Sequence, residues 1–462
     1  MILNWVNEEL NNIDLGDKRL DRRILKLVSA MGNNPEASIP LACGTHASTK
    51  AAYRFFDNPH VVASDISETH IQKTIERVKN YDMLLIAQDT TNIEFTSHKG
   101  ISDIGYLDNI RMLGLKMHSG LAISLDGVPK GLLYQKIWTR DMGEIGKSKE
   151  RKKKKTKDKE SLRWLDVVED VRHKFSESMD IVHIADREAD MYDLFACAQQ
   201  QSSKILIRAV HNRRVEHECK YIWNTIQESP IRGNTIVNVG RANQRKPRKA
   251  KLNIRYETLN IPPPRNHLQR SSYKPVCVNV ILAEEVSPPL KEKPLCWLLI
   301  TMLPIATLDD ALQYVDWYSF RWLIERFHYV LKSGCKIEEL QLEKMDRLRK
   351  AIATYSIIAW RMLQITYESR KNTKALANKV LERHEWEALY CITYRTPVPP
   401  KEIPTLHEAV RWIAKLGGFL GRKSDGEPGV KVIWRGFSKL YNYADMWSLL
   451  RGNGLGGEQT CG

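Results

Sequence analysis

Apolar and polar positions along the chain fall into distinct regimes. Over residues 1 to about 70 the apolar residues recur at helical spacing. Leu20, Ile24, Leu27, Val28 and Met31 share one face, and Lys18, Arg19, Arg22, Arg23 and Lys26 fill the other. A second helix is predicted through Ala51, Ala52, Phe55 and Phe56, capped by Ser48 or Thr49 and carrying Lys50 and Arg54. This basic helical head reads either as a small solvated bundle or as a DNA-binding unit.

From residue 83 the period changes. Met83 to Ala87 is a continuous apolar run of the kind a buried central strand requires, and Ile181 to Ala185 and Ile205 to Ile207 repeat it. Ser119 to Leu125 and Gly131 to Gln135 are further strand candidates, and a helix is predicted from Ser161 to about Phe175. Strands mixed with helices in this order predict an α/β layer fold with a mixed sheet. Residues 209 to about 295 interrupt it with alternating strands, among them Leu252, Ile254 and Tyr256, then Val276, Val278, Val280 and Leu282. The chain returns to the sheet at Trp297 to Ile300. After about residue 375 it is helical again, with Pro397, Pro399 and Pro400 marking a linker and an apolar stripe at Val410, Ile413, Ala414 and Leu416 stopping at Gly417-Gly418. The divisions are 1–70 for the head, 71–375 for the α/β unit with its β-rich insertion, and 376–462 for the helical end.

Composition narrows the partners. The 462 residues are 42% hydrophobic and 27% charged, a globular mix that excludes whole-chain disorder. Lys and Arg number 71 against 55 Asp and Glu, a formal net charge of +16 that points to a polyanion. No apolar run is long enough for a membrane span, and the N-terminus lacks a signal-peptide core, so a cytoplasmic protein is expected. Eight scattered cysteines without a CxxC pair argue for buried thiols rather than disulfides or a zinc ribbon. The charge is concentrated in the head, in Lys147 to Lys159, and in Arg241 to Lys251.

Two carboxylates stand out against this background. Asp89 follows the first buried run and Asp186 follows a later one, where α/β folds expose their chemistry. One such Asp is usually a turn or cap residue; two on adjacent strands would converge and hold hard divalent cations. A third carboxylate comes from a predicted helix over 317–332. At about 100° per residue, Tyr318, Arg321, Glu325 and Lys332 fall in one stripe about 60° wide, while Trp322, Leu323, Phe327 and Leu331 pack the helix in place. The plain alternative is an exposed face with Arg321 and Glu325 as an i,i+4 ion pair.

The ordered set Asp89, Asp186 and Glu325, with Tyr-(2)-Arg-(3)-Glu-(6)-Lys complete at Tyr318, Arg321, Glu325 and Lys332, resembles the DDE transposases of the insertion sequence 4 group, Tn-five type. Local words agree along nearly the whole chain: Leu15-Gly16-Asp17, Ala52-Tyr53-Arg54-Phe55, Gln88-Asp89-Thr90-Thr91, Asp186-Arg187-Glu188-Ala189-Asp190, Ala283-Glu284-Glu285, Trp297-Leu298-Leu299 and Leu416-Gly417-Gly418-Phe419. The resemblance implies an RNase-H-like mixed-sheet core with a β-rich insertion, an N-terminal DNA-binding head and a C-terminal dimerisation region. It implies that Asp89, Asp186 and Glu325 bind two Mg²⁺ ions, with Mn²⁺ able to substitute. Double-stranded DNA would be the partner, as transposon ends bearing inverted repeats and as target, with a homodimer in the synaptic complex.

The same resemblance implies nicking, hairpin formation, hairpin opening and strand transfer. It makes Tyr318, Arg321 and Lys332 the grip on the phosphate beside the hairpin, Arg208 a further clamp and Trp297 the receiver of an unstacked base. His328 lies beside the stripe, placed to contact phosphate or to pack, and Tyr329 stands where some relatives carry a basic residue. Lys50 and Arg54 are candidates for reading the DNA end. Two other readings compete: a metal-dependent nuclease or resolvase without strand transfer, and a non-catalytic DNA-binding repressor or inhibitor. Neither accounts for the full set of carboxylates, phosphate stripe and helical tail.

Overall fold

The fold was described from a computed structural model covering residues 2–98, 100–147, 159–239, 248–267, 270–290, 292–422 and 425–452. The head is five helices: α1 (Asn4–Leu10), α2 (Lys18–Asn33), α3 (Ile39–Cys43), α4 (His46–Asp57) and α5 (Ala63–Val78). Ile24, Leu27, Val28 and Met31 of α2 are buried as the periodicity predicts. The cap of α4 is Thr45, whose hydroxyl accepts from Ser48 N, rather than Ser48 or Thr49. Residue 70 lies inside α5, which carries the head into the body of the molecule.

Strands β1 (Met83–Glu94), β2 (Gly105–Tyr106), β3 (Leu113–Ile123) and β4 (Pro129–Trp138) follow, then α6 (Leu162–His173), β5 (Asp180–Ala185), α7 (Tyr192–Gln200) and β6 (Lys204–Arg208). The region after residue 209 holds α8 (Ile222–Glu228), β7 (Gly233–Val239), β8 (Arg248–Ile261) and β9 (Val276–Glu285), and β10 (Cys296–Thr301) returns to the core. The insertion is not a separate β body. All ten strands form one sheet, ordered β2-β3-β1-β5-β6-β10-β9-β8-β7, with β4 also paired to β3. The central strands β1, β5 and β6 are parallel, and the flanking pairs are antiparallel.

Alternation of side chains assigns the two faces of this sheet. Leu85 and Ala87 of β1, Val182 and Ile184 of β5, Leu206 of β6 and Leu299 of β10 join the larger core. That core continues into α9 (Leu308–Ser319), α10 (Trp322–Tyr329), α11 (Met345–Lys371), α12 (Arg383–Tyr394), α13 (Leu406–Leu416) and α14 (Val430–Gly452). Leu84, Ile86 and Ile181 point the other way, onto Val167 and Val171 of α6. No helix among the described residues is long and apolar enough to cross a membrane.

The helix expected over 317–332 is interrupted. A tight turn joins α9 to α10, with Phe320 N bonding Trp317 O (3.0 Å) and Arg321 N bonding Tyr318 O (3.1 Å). The Phe320 ring lies against Gly127 at the β3–β4 turn, where φ is +87° and a Cβ would come within 2.8 Å of the ring. At the other end, Val330–Gly334 winds as a π-helix. The 100° stripe is therefore redistributed over three short segments. Leu323, Phe327 and Leu331 are buried as expected, but Trp322 is 54% exposed. The described cysteines are free, and the expectation of buried thiols holds for Cys197, Cys335 and Cys391 only.

Candidate active site

Asp89 does not follow its strand but lies within β1, opposite Ser119 of β3. Its pairing with β5, however, stops at Ala87, which faces Ile184. Asp89 and Asp186 are thus each two residues beyond the last parallel pair, on adjacent strands and at the same level. By alternation they also share the face of Leu85, Ala87, Val182 and Ile184. Asp186 in addition caps a 3₁₀ turn over Arg187–Ala189, accepting from Glu188 N at 2.8 Å. The same face receives Arg208 from β6 and Trp297 from β10, each two residues from Leu206 and Leu299 respectively.

Helix α10 packs across β1 and brings the third carboxylate. Glu325 is ion-paired with Arg321, Nη1 to Oε1 at 2.5 Å, the i,i+4 contact that spacing allows. Three residues on, His328 is buried with Nδ1 3.5 Å from Asp89 Oδ2, so this helix face meets Asp89 directly. Burial works against the charge of Arg321, but Tyr318, Glu325 and Asp186 more than offset it and raise its pKa. Burial raises the Tyr318 phenol, opposed by the cations of Arg321 and Arg208. Burial lowers the Arg208 guanidinium, helped by Arg187 and Arg321. Arg208 is steadied by donating from Nη2 to Cys296 O at 2.8 Å. Asp186, Tyr318, Arg321, Glu325 and Arg208 therefore feel one another electrostatically. The Trp297 ring stands edge-on to Tyr318, centroids 5.8 Å apart.

Lys332 is turned elsewhere: its Nζ donates to Asn92 O at 2.9 Å and pairs with Glu338 at 3.0 Å. Tyr329 stacks on Trp434 of α14. Lys50 and Arg54 are exposed, one helical turn apart on α4. Of the basic stretches, 148–158 and 241–247 lie outside the described residues, and Arg248 is occupied by Glu285 and Glu292. Trp322 does not sit in the packing interface that its spacing predicts. In the structure its indole lies under the Arg321 guanidinium at 4.7 Å.

The chain matches three families in order. Residues 2–61 match the family described as transposase DNA-binding, residues 131–361 the transposase DDE domain, and residues 357–451 the transposase Tn5 dimerisation domain. The DDE match alone spans half of the 462 residues. The chain belongs to the DDE transposases of the Tn5 type. It is accordingly a DNA transposase, a nuclease and transferase with a DNA-binding and a dimerisation domain. The DDE match takes in Asp186 and Glu325, and Asp89 precedes its first residue.

DDE domains use divalent metal ions, and the donor set here suits them: three carboxylates and no soft ligand. Among the described residues, no group of three His, Cys, Asp or Glu side chains stands at metal-holding distance. Glu325 is engaged by Arg321 and Asp89 by His328. Two carboxylates level on one sheet face, with no ion pair to Asp186 among the described residues, still fit the cradle of a hard cation.

Proposed function

We propose that this transposase performs cut-and-paste transposition with Asp89, Asp186 and Glu325 as its metal-holding triad. The observation that carries this reading is the shared register of β1 and β5, which sets Asp89 and Asp186 level at one face with α10 packed across it. Asp89, Asp186 and Glu325 would hold two Mg²⁺ ions, or Mn²⁺ in their place, which would supply activation of the attacking water or 3′-hydroxyl and charge neutralisation at the leaving oxygen. Glu325, paired with Arg321 in this structure, would hold the metal from α10, and Arg321 would then be free to donate to substrate phosphate.

Arg321 would then grip a non-bridging phosphate oxygen beside Tyr318 and Arg208, with Arg321 and Tyr318 both close enough to Asp186 to feel its charge. Trp297 offers a ring next to Tyr318 on which a base displaced from the stack can rest. These roles suit nicking, hairpin formation, hairpin opening and strand transfer as successive phosphoryl transfers at one site. Lys332 adds positive charge at the rim while tethering the helix end to β1, and His328 holds the Asp89 side chain.

In this reading, residues 1–70 bind transposon ends through Lys50 and Arg54. Residues 71–375 carry the chemistry, and residues 376–462 join two copies in the synaptic complex. The protein works in the cytoplasm on nucleoid DNA. The test is incubation with Mg²⁺ and DNA carrying the inverted repeats that flank the gene. Hairpin ends and joined target products are expected. Nicks without joined products would favour a nuclease, and Asp89→Ala retaining full activity would refute the triad.

A further inference from the structure

The reverse face of the catalytic sheet carries polar side chains that the proposed chemistry does not use. The parallel ladder between β1 and β5 ends two residues short of both Asp89 and Asp186. No ladder bond therefore ties one carboxylate's backbone to the other's. Arg163 of α6 spans that gap from behind. Its Nε donates to Thr90 Oγ1 at 2.8 Å, its Nη2 to Glu188 Oε2 at 2.8 Å, and its Nη1 to Glu160 O at 2.8 Å. Thr90 is the residue after Asp89, and Glu188 lies in the turn that Asp186 caps.

The contacts continue with a defined direction. A guanidinium only donates, so Thr90 Oγ1 accepts and its hydroxyl proton is available to His118 Nδ1, 2.8 Å away. His118 Nε2 then carries a proton and faces Gln88 Oε1 at 3.4 Å, and the Gln88 amide donates to His183 Nδ1 at 2.8 Å. Burial, helped by the charge of Arg163, holds the His118 imidazole well below its usual range, and burial brings His183 down to about 3, so both rings are neutral. Gln88 and Thr90 flank Asp89, and both are held from the reverse face. The far end of the Asp186 turn is held too: the Asp190 carboxylate, fully buried, accepts from Val210 N, His211 N and Arg213 Nε at 2.7–2.8 Å, just beyond Arg208.

We propose that Arg163 is a positioning residue that locks the Asp89 strand edge to the Asp186 turn, through Thr90 on one side and Glu188 on the other. The proposal rests on the reading of Asp89 and Asp186 as metal-holding carboxylates. Glu188 is 63% exposed, so this bridge adds little to stability. Its effect falls on the relative placement of the two carboxylates. Supports of metal ligands typically change metal affinity about 10–100-fold when removed.

The experiment uses the full chain and Arg163→Met, which keeps the stem and loses the donors. The expected result is a rise of about tenfold in the Mg²⁺ concentration for half-maximal cleavage of end-bearing DNA, with end binding unchanged within about twofold. In metal-free protein, ¹⁵N spectra of the histidines should show His118 passing from the Nε2–H tautomer to a mixture. Thr90→Val, nearly the same shape without the hydroxyl, should reproduce both changes and decides the matter if Arg163→Met does not fold. Wild-type Mg²⁺ dependence and an unchanged His118 tautomer in these variants would overturn the proposal, as would a loss of cleavage that only tracks a loss of folded protein. Asp89→Ala is run beside them. If it cleaves like the wild type, the metal assignment itself fails. If it is inactive while Arg163→Met behaves as wild type, only the positioning role fails.

Discussion

Two charged regions of this molecule are built in opposite ways. Where the head meets the body, Glu9 of α1 is buried and doubly engaged. It accepts from His70 Nδ1 at 2.5 Å and from Arg77 at 2.6 and 3.1 Å. Leu132 N donates to His70 Nε2, which fixes the ring as the neutral Nδ1–H tautomer. Arg77 also donates to Lys130 O and lies over the Trp360 ring. Nearby, the buried Lys350 ammonium donates to Phe56 O and Asn58 O. At the candidate active site, by contrast, Glu325 has one cation and Asp89 one distant imidazole among the described residues, and the Arg321 Nε is buried without a partner among them. Glu9 and Lys350, which fasten the head to the body, are each held by several protein partners. The groups we propose to meet DNA and metal have fewer partners, at a cost the fold must meet elsewhere.

Substitutions can break this contrast. The largest effect is expected for Asp89→Ala, a loss of strand cleavage on the order of 10³-fold or more, with little change in stability. A stability loss without a rate loss would place Asp89 in the fastening class. Glu9→Gln should do the reverse. Burial alone would raise the Glu9 carboxyl, but His70 and Arg77 bring it down to about 2 from 4.5. A lowered folded pKa contributes stability that is present above pH 4.5 and is lost as pH falls toward 2. Denaturation of the wild type should therefore show an acid-labile contribution of about 3 kcal/mol that Glu9→Gln lacks at every pH. Arg321→Ala is expected to slow cleavage about 10²-fold, because it removes a phosphate donor. A faster variant would mean that the ion pair with Glu325 mainly inhibits. The smallest effect belongs to Lys50→Ala: weaker end binding, with the slope of log affinity against log salt reduced by about 1.

The sequence pattern exposed some of this architecture and concealed the rest. Buried strands such as Ile181–Ala185 are legible because every position is apolar, and α2 because its apolar residues keep a helical period. Strand β7 was not, since Gly233-Asn234-Thr235 carries little apolar alternation and is specified by its partner β8. Periodicity also cannot order strands, so the insertion read as an interruption although its strands extend the central sheet. In the site, register and alternation put Asp89, Asp186, Arg208 and Trp297 on one sheet face, and the α9–α10 segment that packs across β1 carries Tyr318, Arg321 and Glu325. Sequence position alone does not assign their roles, which come from the family resemblance. The break at Phe320 was hidden, because the helical pattern runs on through it and its neighbour Gly127 is remote in sequence. The Arg163 contacts were equally out of reach, joining residues 25 and 73 positions apart through tertiary structure alone.

The central claim is that Asp89 and Asp186, level on neighbouring strands, hold the metal that drives phosphoryl transfer. The most direct measurement is cleavage of end-bearing DNA by Asp186→Cys in Mg²⁺ and in Mn²⁺. A thiolate is a poor ligand for Mg²⁺ and a better one for the softer Mn²⁺. The account predicts a variant inactive in Mg²⁺ that regains cleavage in Mn²⁺. Equal activity in the two metals, at the wild-type level or at none, would contradict it.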